Sequence, residues 1–161
     1  MKKILLVGAI ALFGAMNAQT GFKLGAHIGL PTGDANTAYS FSLGADVAYM
    51  WPVSAEFNLG LVSGYTAFTG KTVSGYKVPS LSLVPLAAAA QYNVSPQFSI
   101  GADLGYGFLF ASGTSDGGFY YQPKVAYHFG PSEVNFGYMG VTKSGSTISA
   151  VNLGYAYSFG K

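Results

Sequence analysis

Asn152-Leu153-Gly154-Tyr155-Ala156-Tyr157-Ser158-Phe159 alternates with a period of two. Leu153, Tyr155, Tyr157 and Phe159 fall on one face, and Asn152, Gly154, Ala156 and Ser158 on the other, as in a β-strand. A soluble sheet would cover such an apolar face with a second layer. Here the large residues suit a wall against lipid, and the small polar ones suit a narrow interior.

The same alternation runs back through the chain. Seven further runs are predicted as strands: Phe22 to Leu30, Tyr39 to Trp51, Glu56 to Phe68, Lys77 to Tyr92, Gln97 to Phe110, Phe119 to Phe129, and Glu133 to Tyr138. Tyr39 to Trp51 is the cleanest of them. Leu81 and Leu83 fall on the opposite parity from Val84, Leu86, Ala88, Ala90 and Tyr92. A bulge near Val84-Pro85 is expected to repair this, because proline inside a strand marks an edge or a bulge.

Short turns are expected at Pro52-Val53-Ser54, Asn93-Val94-Ser95-Pro96 and Gly130-Pro131-Ser132. Longer loops are expected around Pro31 to Asn36, Thr69 to Tyr76, Ala111 to Gly118, and Thr142 to Ser146. Tight turns at one end and loops at the other are what an outer-membrane barrel shows, with both chain ends on the turn side. Two aromatic girdles are predicted to flank the apolar band. Trp51, Phe57, Tyr92, Phe98 and Phe129 gather near the turns, and Tyr39, Phe110 and Phe119, with Tyr65 and Phe68, near the loops.

Composition agrees. The 161 residues suffice for one domain, and 50% are hydrophobic with only 9% charged. Beyond the leader no apolar run approaches the roughly 18 residues of a transmembrane helix. The chain has no Cys, which excludes disulfides, thiolate metal sites and cysteine nucleophiles. Met1 to Ala18 reads as a cleaved signal peptide: Lys2-Lys3, an apolar run, then small residues. The domain would then span 19–161. Without Lys2 and Lys3, six Lys balance six acids, so no basic nucleic-acid patch exists.

In its order of polar, glycine and aromatic residues (Asn152, Gly154, Tyr157, Phe159), the final strand resembles the C-terminal assembly signal of Gram-negative outer-membrane β-barrels. The whole mature chain resembles the small OmpA/OmpX-like family. That resemblance implies an all-β, eight-stranded, antiparallel up-and-down transmembrane barrel in the outer membrane. It implies contact with outer-membrane lipids and lipopolysaccharide, a barrel-assembly machinery as partner during insertion, and a monomer. Gly160 and Lys161 after the terminal aromatic depart from the usual signal.

Chemistry is confined to the inward parity: Lys23, His27, Asp46, Glu56, Asp103, Lys124, His128 and Glu133. An eight-stranded barrel has room for little beyond its own side chains, and buried charges need partners. Lys23 with Asp46, and Lys124 with Asp103, are the expected cross-strand pairs of a polar lumen network. The role implied is structural or interfacial, with a mostly closed polar lumen. The alternative is a narrow cation-preferring, porin-like channel, since the inward acids outnumber the inward Lys. An adhesin is disfavoured by short plain loops. A lipid A-modifying enzyme is disfavoured because neither His sits in a clear Ser/acid constellation. No catalytic residue, metal ligand or cofactor site is assigned.

Overall fold

The computed structural model describes residues 21–159. The leader, Gln19, Gly160 and Lys161 lie outside the described residues. Eight long strands close into a barrel: β1 (Gly21–Thr32), β2 (Tyr39–Pro52), β3 (Phe57–Gly70), β6 (Leu81–Asn93), β7 (Phe98–Ala111), β8 (Thr114–Phe129), β9 (Ser132–Lys143) and β10 (Ser146–Phe159). A one-turn helix, α1 (Ala35–Ala38), links β1 to β2. A small hairpin, β4 (Thr72–Val73) with β5 (Tyr76–Lys77), stands between β3 and β6. Every barrel strand pairs antiparallel with its chain neighbour, and β10 closes on β1 from Phe22↔Phe159 to Thr32↔Ser149. No barrel edge is left to attract another strand.

Alternation decides which side each residue takes. Leu24, Ile28, Leu43, Leu61, Leu104, Phe136 and Leu153 stand exposed on the outer wall. Aromatic contacts cluster at both ends of it. Phe22–Phe159, Tyr157–Phe159 and Tyr49–Trp51 lie toward the turn end, and Tyr106–Phe108 and Phe119–Tyr121 toward the loop end.

Three expectations change. First, β6 has no bulge. Its pairing with β7 runs unbroken from Ser82↔Phe110 to Asn93↔Ser99. Leu81, Leu83, Ala87 and Ala89 are simply the inward set. On the β3 side the register is equally constant but Val84-Pro85 is skipped, and Ser63 Oγ donates to the Pro85 carbonyl at 2.8 Å. The parity conflict arose because the interior is apolar at this height.

Second, the loops after β7 and β9 are not long. Each is a two-residue turn, Ser112-Gly113 and Ser144-Gly145, and Ser74-Gly75 closes the small hairpin in the same way. Both residues of each pair have positive φ, which matches the right-handed twist of the flanking strands. At the opposite end Val53 to Glu56 and Val94 to Gln97 form matching turns. In each, a serine hydroxyl accepts the N–H of the returning Phe, Phe57 or Phe98. Turn length therefore does not separate the two ends at every hairpin.

Third, Tyr39 and Phe68 do not join the outer girdle. A register shift between Tyr39 and Phe41 lets Tyr39 pack edge-on against Phe68, with ring centroids 5.8 Å apart and Phe68 fully buried. Trp51, Tyr92, Phe98, Phe110, Phe119 and Phe129 are exposed, and Phe57 is half-buried.

Candidate functional site

The inward faces meet in a lumen of two halves. Near the loops, Phe68, Leu81, Leu83, Tyr120, Met139, Val141 and Ala150 form one buried cluster, against which Tyr39, Leu109 and Ile148 pack. Side chains from β2, β3 and β6 to β10 thus meet in an apolar septum. The cluster continues down the β2–β3–β6 wall as Met50, Val62, Ala87 and Ala89.

The half near the chain ends holds the titratable groups. Lys124 Nζ lies 2.7 Å from Asp103 Oδ2. The two residues are diagonal rather than opposite, since Lys124 pairs with Gly101 and Asp103 with Gln122. Lys23 does not pair with Asp46. Gly25 stands opposite Asp46, two residues from the centred register, and Lys23 reaches Glu133 Oε2 at 2.8 Å and Gln91 Oε1 at 3.0 Å. Asp46 is left to His27, whose Nδ1 lies 2.6 Å from Oδ2.

Gly44 makes the slot for that imidazole: a Cβ there would come within 2.5 Å of the His27 ring and 2.7 Å of the Tyr65 carbonyl. His27 Nε2 meets Thr66 Oγ1 at 3.1 Å. A carboxylate at Nδ1 favours the Nδ1–H tautomer of a neutral ring, leaving Nε2 to accept the threonine hydroxyl. His128 repeats the arrangement, with Nε2 2.7 Å from Ser99 Oγ and Nδ1 3.4 Å from Glu133 Oε2. Glu56 is not in this network. It sits exposed in the turn before β3, at the rim.

Two hydroxyl–imidazole–carboxylate strings therefore exist where sequence reading found no such constellation. Thr66 and Ser99 had inward parity, but nothing in a linear pattern shows which strand a histidine will lean toward. Both hydroxyls are buried: Thr66 is 1% and Ser99 2% exposed, and both lie inside strands paired on both sides. Among the described residues no group of three or more His, Asp or Glu could hold a metal ion.

At the chain-end mouth an open vestibule of about 690 Å³ is lined by Lys23, Glu56, Asn58, Gln91, His128 and Ser158, among others. At the opposite end the charges are on the surface. Lys143 hydrogen-bonds Asp116 and, with the Gly117 N–H, holds that carboxyl below the usual range. Lys71 Nζ donates to the Asn36 carbonyl at 2.6 Å, tying the β3 end to α1.

In the C-terminal strand, Asn152, Gly154 and Ala156 are buried in the lumen. Tyr157 and Phe159 are on the outer wall at the chain-end rim. Asn152 is fully buried across Gly29 from Ser42, and its amide has no hydrogen-bond partner.

No family model matches this chain, and no curated protein matches it. Solved structures do. The attachment invasion locus protein Ail of Yersinia pestis, in complex with the heparin analogue sucrose octasulfate, superposes with a TM-score of 0.63 at 13% identity. The match covers 87% of this chain and 97% of that one. Neisserial surface protein A (NspA) gives 0.56 at 14% identity over 87% and 97%. The outer membrane protein OprG of Pseudomonas aeruginosa gives 0.50 at 10% identity over 89% and 97%. At such identities the likeness is one of fold: this chain has the architecture of small eight-stranded outer-membrane β-barrels.

Proposed function

We propose that this chain is an integral outer-membrane protein whose barrel stands in lipid with a closed interior and serves a structural or interfacial role at the cell surface. One observation carries the reading. Among the described residues, no Asp, Glu or Lys occupies an outward position of a barrel strand, and large apolar side chains are exposed around the whole circumference. Exposed apolar area on that scale has no place in water, whereas a bilayer covers it at no cost. The shared fold with Ail, NspA and OprG supports the same reading.

On this proposal Met1 to Ala18 is removed on export, and both chain ends face the periplasm. The outer wall meets lipid and lipopolysaccharide, and the barrel is a monomer. The assembly machinery reads the strand ending in Tyr157 and Phe159; Phe159→Ala should then slow membrane assembly more than deletion of Lys161, and equal effects would argue against that role. The apolar septum weighs against the channel alternative, because side chains from seven of the eight strands pack together there.

Two measurements test the whole. The refolded mature chain should need detergent or lipid to stay monomeric; a soluble monomer without either defeats the membrane assignment. In planar bilayers the folded protein should be electrically silent, and discrete reproducible openings would overturn the closed interior.

A further inference from the structure

A smaller inner cavity adjoins the vestibule. The inner cavity has about 50 Å³ open to water centres and shares Lys23, Met50 and Gln91 with the vestibule. Lys23 reaches from β1 to Gln91 on β6 and to Glu133 on β9. Those two strands are not neighbours, since β7 and β8 lie between them. The ammonium is therefore a bar across the lumen.

Behind the bar, Asp103 is 1% exposed. Its Oδ2 takes Lys124, and its Oδ1 has no protein partner. A buried carboxylate oxygen left without a donor carries the full cost of its lost hydration. The cavity offers a remedy. A water needs roughly 10–15 Å³ of such volume and two to four polar partners. The space fits about three or four waters, and the side chains of Gln91, Gln122 and Asn135 line it as well.

We propose that the inner cavity is a hydration site, filled from the vestibule and latched by Lys23, with a water donating to Asp103 Oδ1. The inference rests on the interior geometry, whichever membrane surrounds it, and goes beyond the closed-barrel reading: the closed lumen is a wet, blind well. The lining selects the occupant. Lys23 and Lys124 oppose a cation, Asp46, Asp103 and Glu133 oppose an anion, and the volume rejects larger molecules. A small neutral molecule that both donates and accepts remains, which is water.

The unaltered refolded protein gives the direct test. Its crystal structure should show water density within hydrogen-bond distance of Asp103 Oδ1; an empty or collapsed cavity overturns the site. The latch is tested in this cysteine-free chain by a single Asn135→Cys reporter, oxidised to the sulfenic acid by hydrogen peroxide, a neutral reagent little larger than water. Lys23→Ala should raise the reaction rate at least tenfold, and Lys23→Arg should not. Equal rates with and without Lys23 overturn the latch. No reaction in either form, while a Ser158→Cys control in the vestibule reacts, overturns filling from that side.

Discussion

The half of the lumen near the chain ends and the half near the loops are lined by the same strands, yet one is held by ion pairs and the other by apolar packing. The difference follows water. Lys23 and Lys124 keep 16% and 24% of their side chains exposed beside the vestibule and the inner cavity, so their desolvation is partial. Their carboxylate partners are far more buried, Glu133 at 9% and Asp103 at 2%, and depend on those cations. Above them the Phe68 cluster packs the lumen, and a charge within it would be unpaired and dry. Phe68, Leu83, Met139 and Val141 fill that space instead. A narrow barrel thus keeps its polar groups where solvent can share the cost of burying them.

The largest expected effect lies in the septum. Phe68→Ala removes a fully buried ring that touches Tyr39 and should cost about 3–5 kcal/mol in urea unfolding of the detergent-folded barrel. A loss below about 1 kcal/mol would show the septum collapsing easily, without the jigsaw packing argued here. The polar half should give the next effect, and an asymmetric one. Lys124→Met strands a buried Asp103 carboxylate and should cost about 3 kcal/mol. Asp103→Asn leaves a cation that water already reaches and should cost about 1 kcal/mol. If both cost the same, or Asp103→Asn costs more, solvent sharing does not explain the placement of the charges.

How much of this was legible beforehand depends on the residue. Leu153, Tyr155, Tyr157 and Phe159 could be placed on the outer wall because their partners Gly154, Ala156 and Ser158 are small and polar, so the faces differ. Leu81 and Leu83 could not be. Their strand is apolar on both faces at that height, and alternation alone cannot distinguish a septum from a wall. Tyr39 was misread because the register shift beside it changes its side, and Phe68 because its nearness to the loops outweighed the inward parity it shares with Gly64 and Thr66. The lumen pairs required the register of barrel closure. Lys23 meets Glu133 only because β10 brings β9 beside β1, and nothing in the first hairpin reveals that. The tight turns did carry a local signal that went unused: Ser74-Gly75, Ser112-Gly113 and Ser144-Gly145 each put a Ser-Gly dipeptide where both residues need positive φ.

Those turns give a third, smaller effect, outside either half of the lumen. Gly113 has φ +78° and nothing near its missing Cβ, so Gly113→Ala meets only backbone strain and should cost about 1 kcal/mol in the same unfolding assay. A loss comparable to that of Phe68→Ala would mean that the hairpin, rather than the septum, holds the loop-side half together.

The smallest effect belongs to Asp116 and Lys143, which make an ion pair like those of the lumen but stand about half exposed at the loop end. The bond from Lys143 lowers the Asp116 pKa in the folded state. Its contribution to stability is therefore complete above the unfolded carboxylate pKa and lost as pH falls through the folded value. Solvent screens both groups, so neither Asp116→Asn nor acidification across that window should shift the unfolding midpoint measurably through this pair. Lys124→Met, acting on a pair of similar chemistry in the lumen, should shift it clearly. Burial, and not the presence of an ion pair, is then what separates the two sites. A midpoint shift for Asp116→Asn as large as that for Lys124→Met would remove the distinction on which the comparison of the two lumen halves depends.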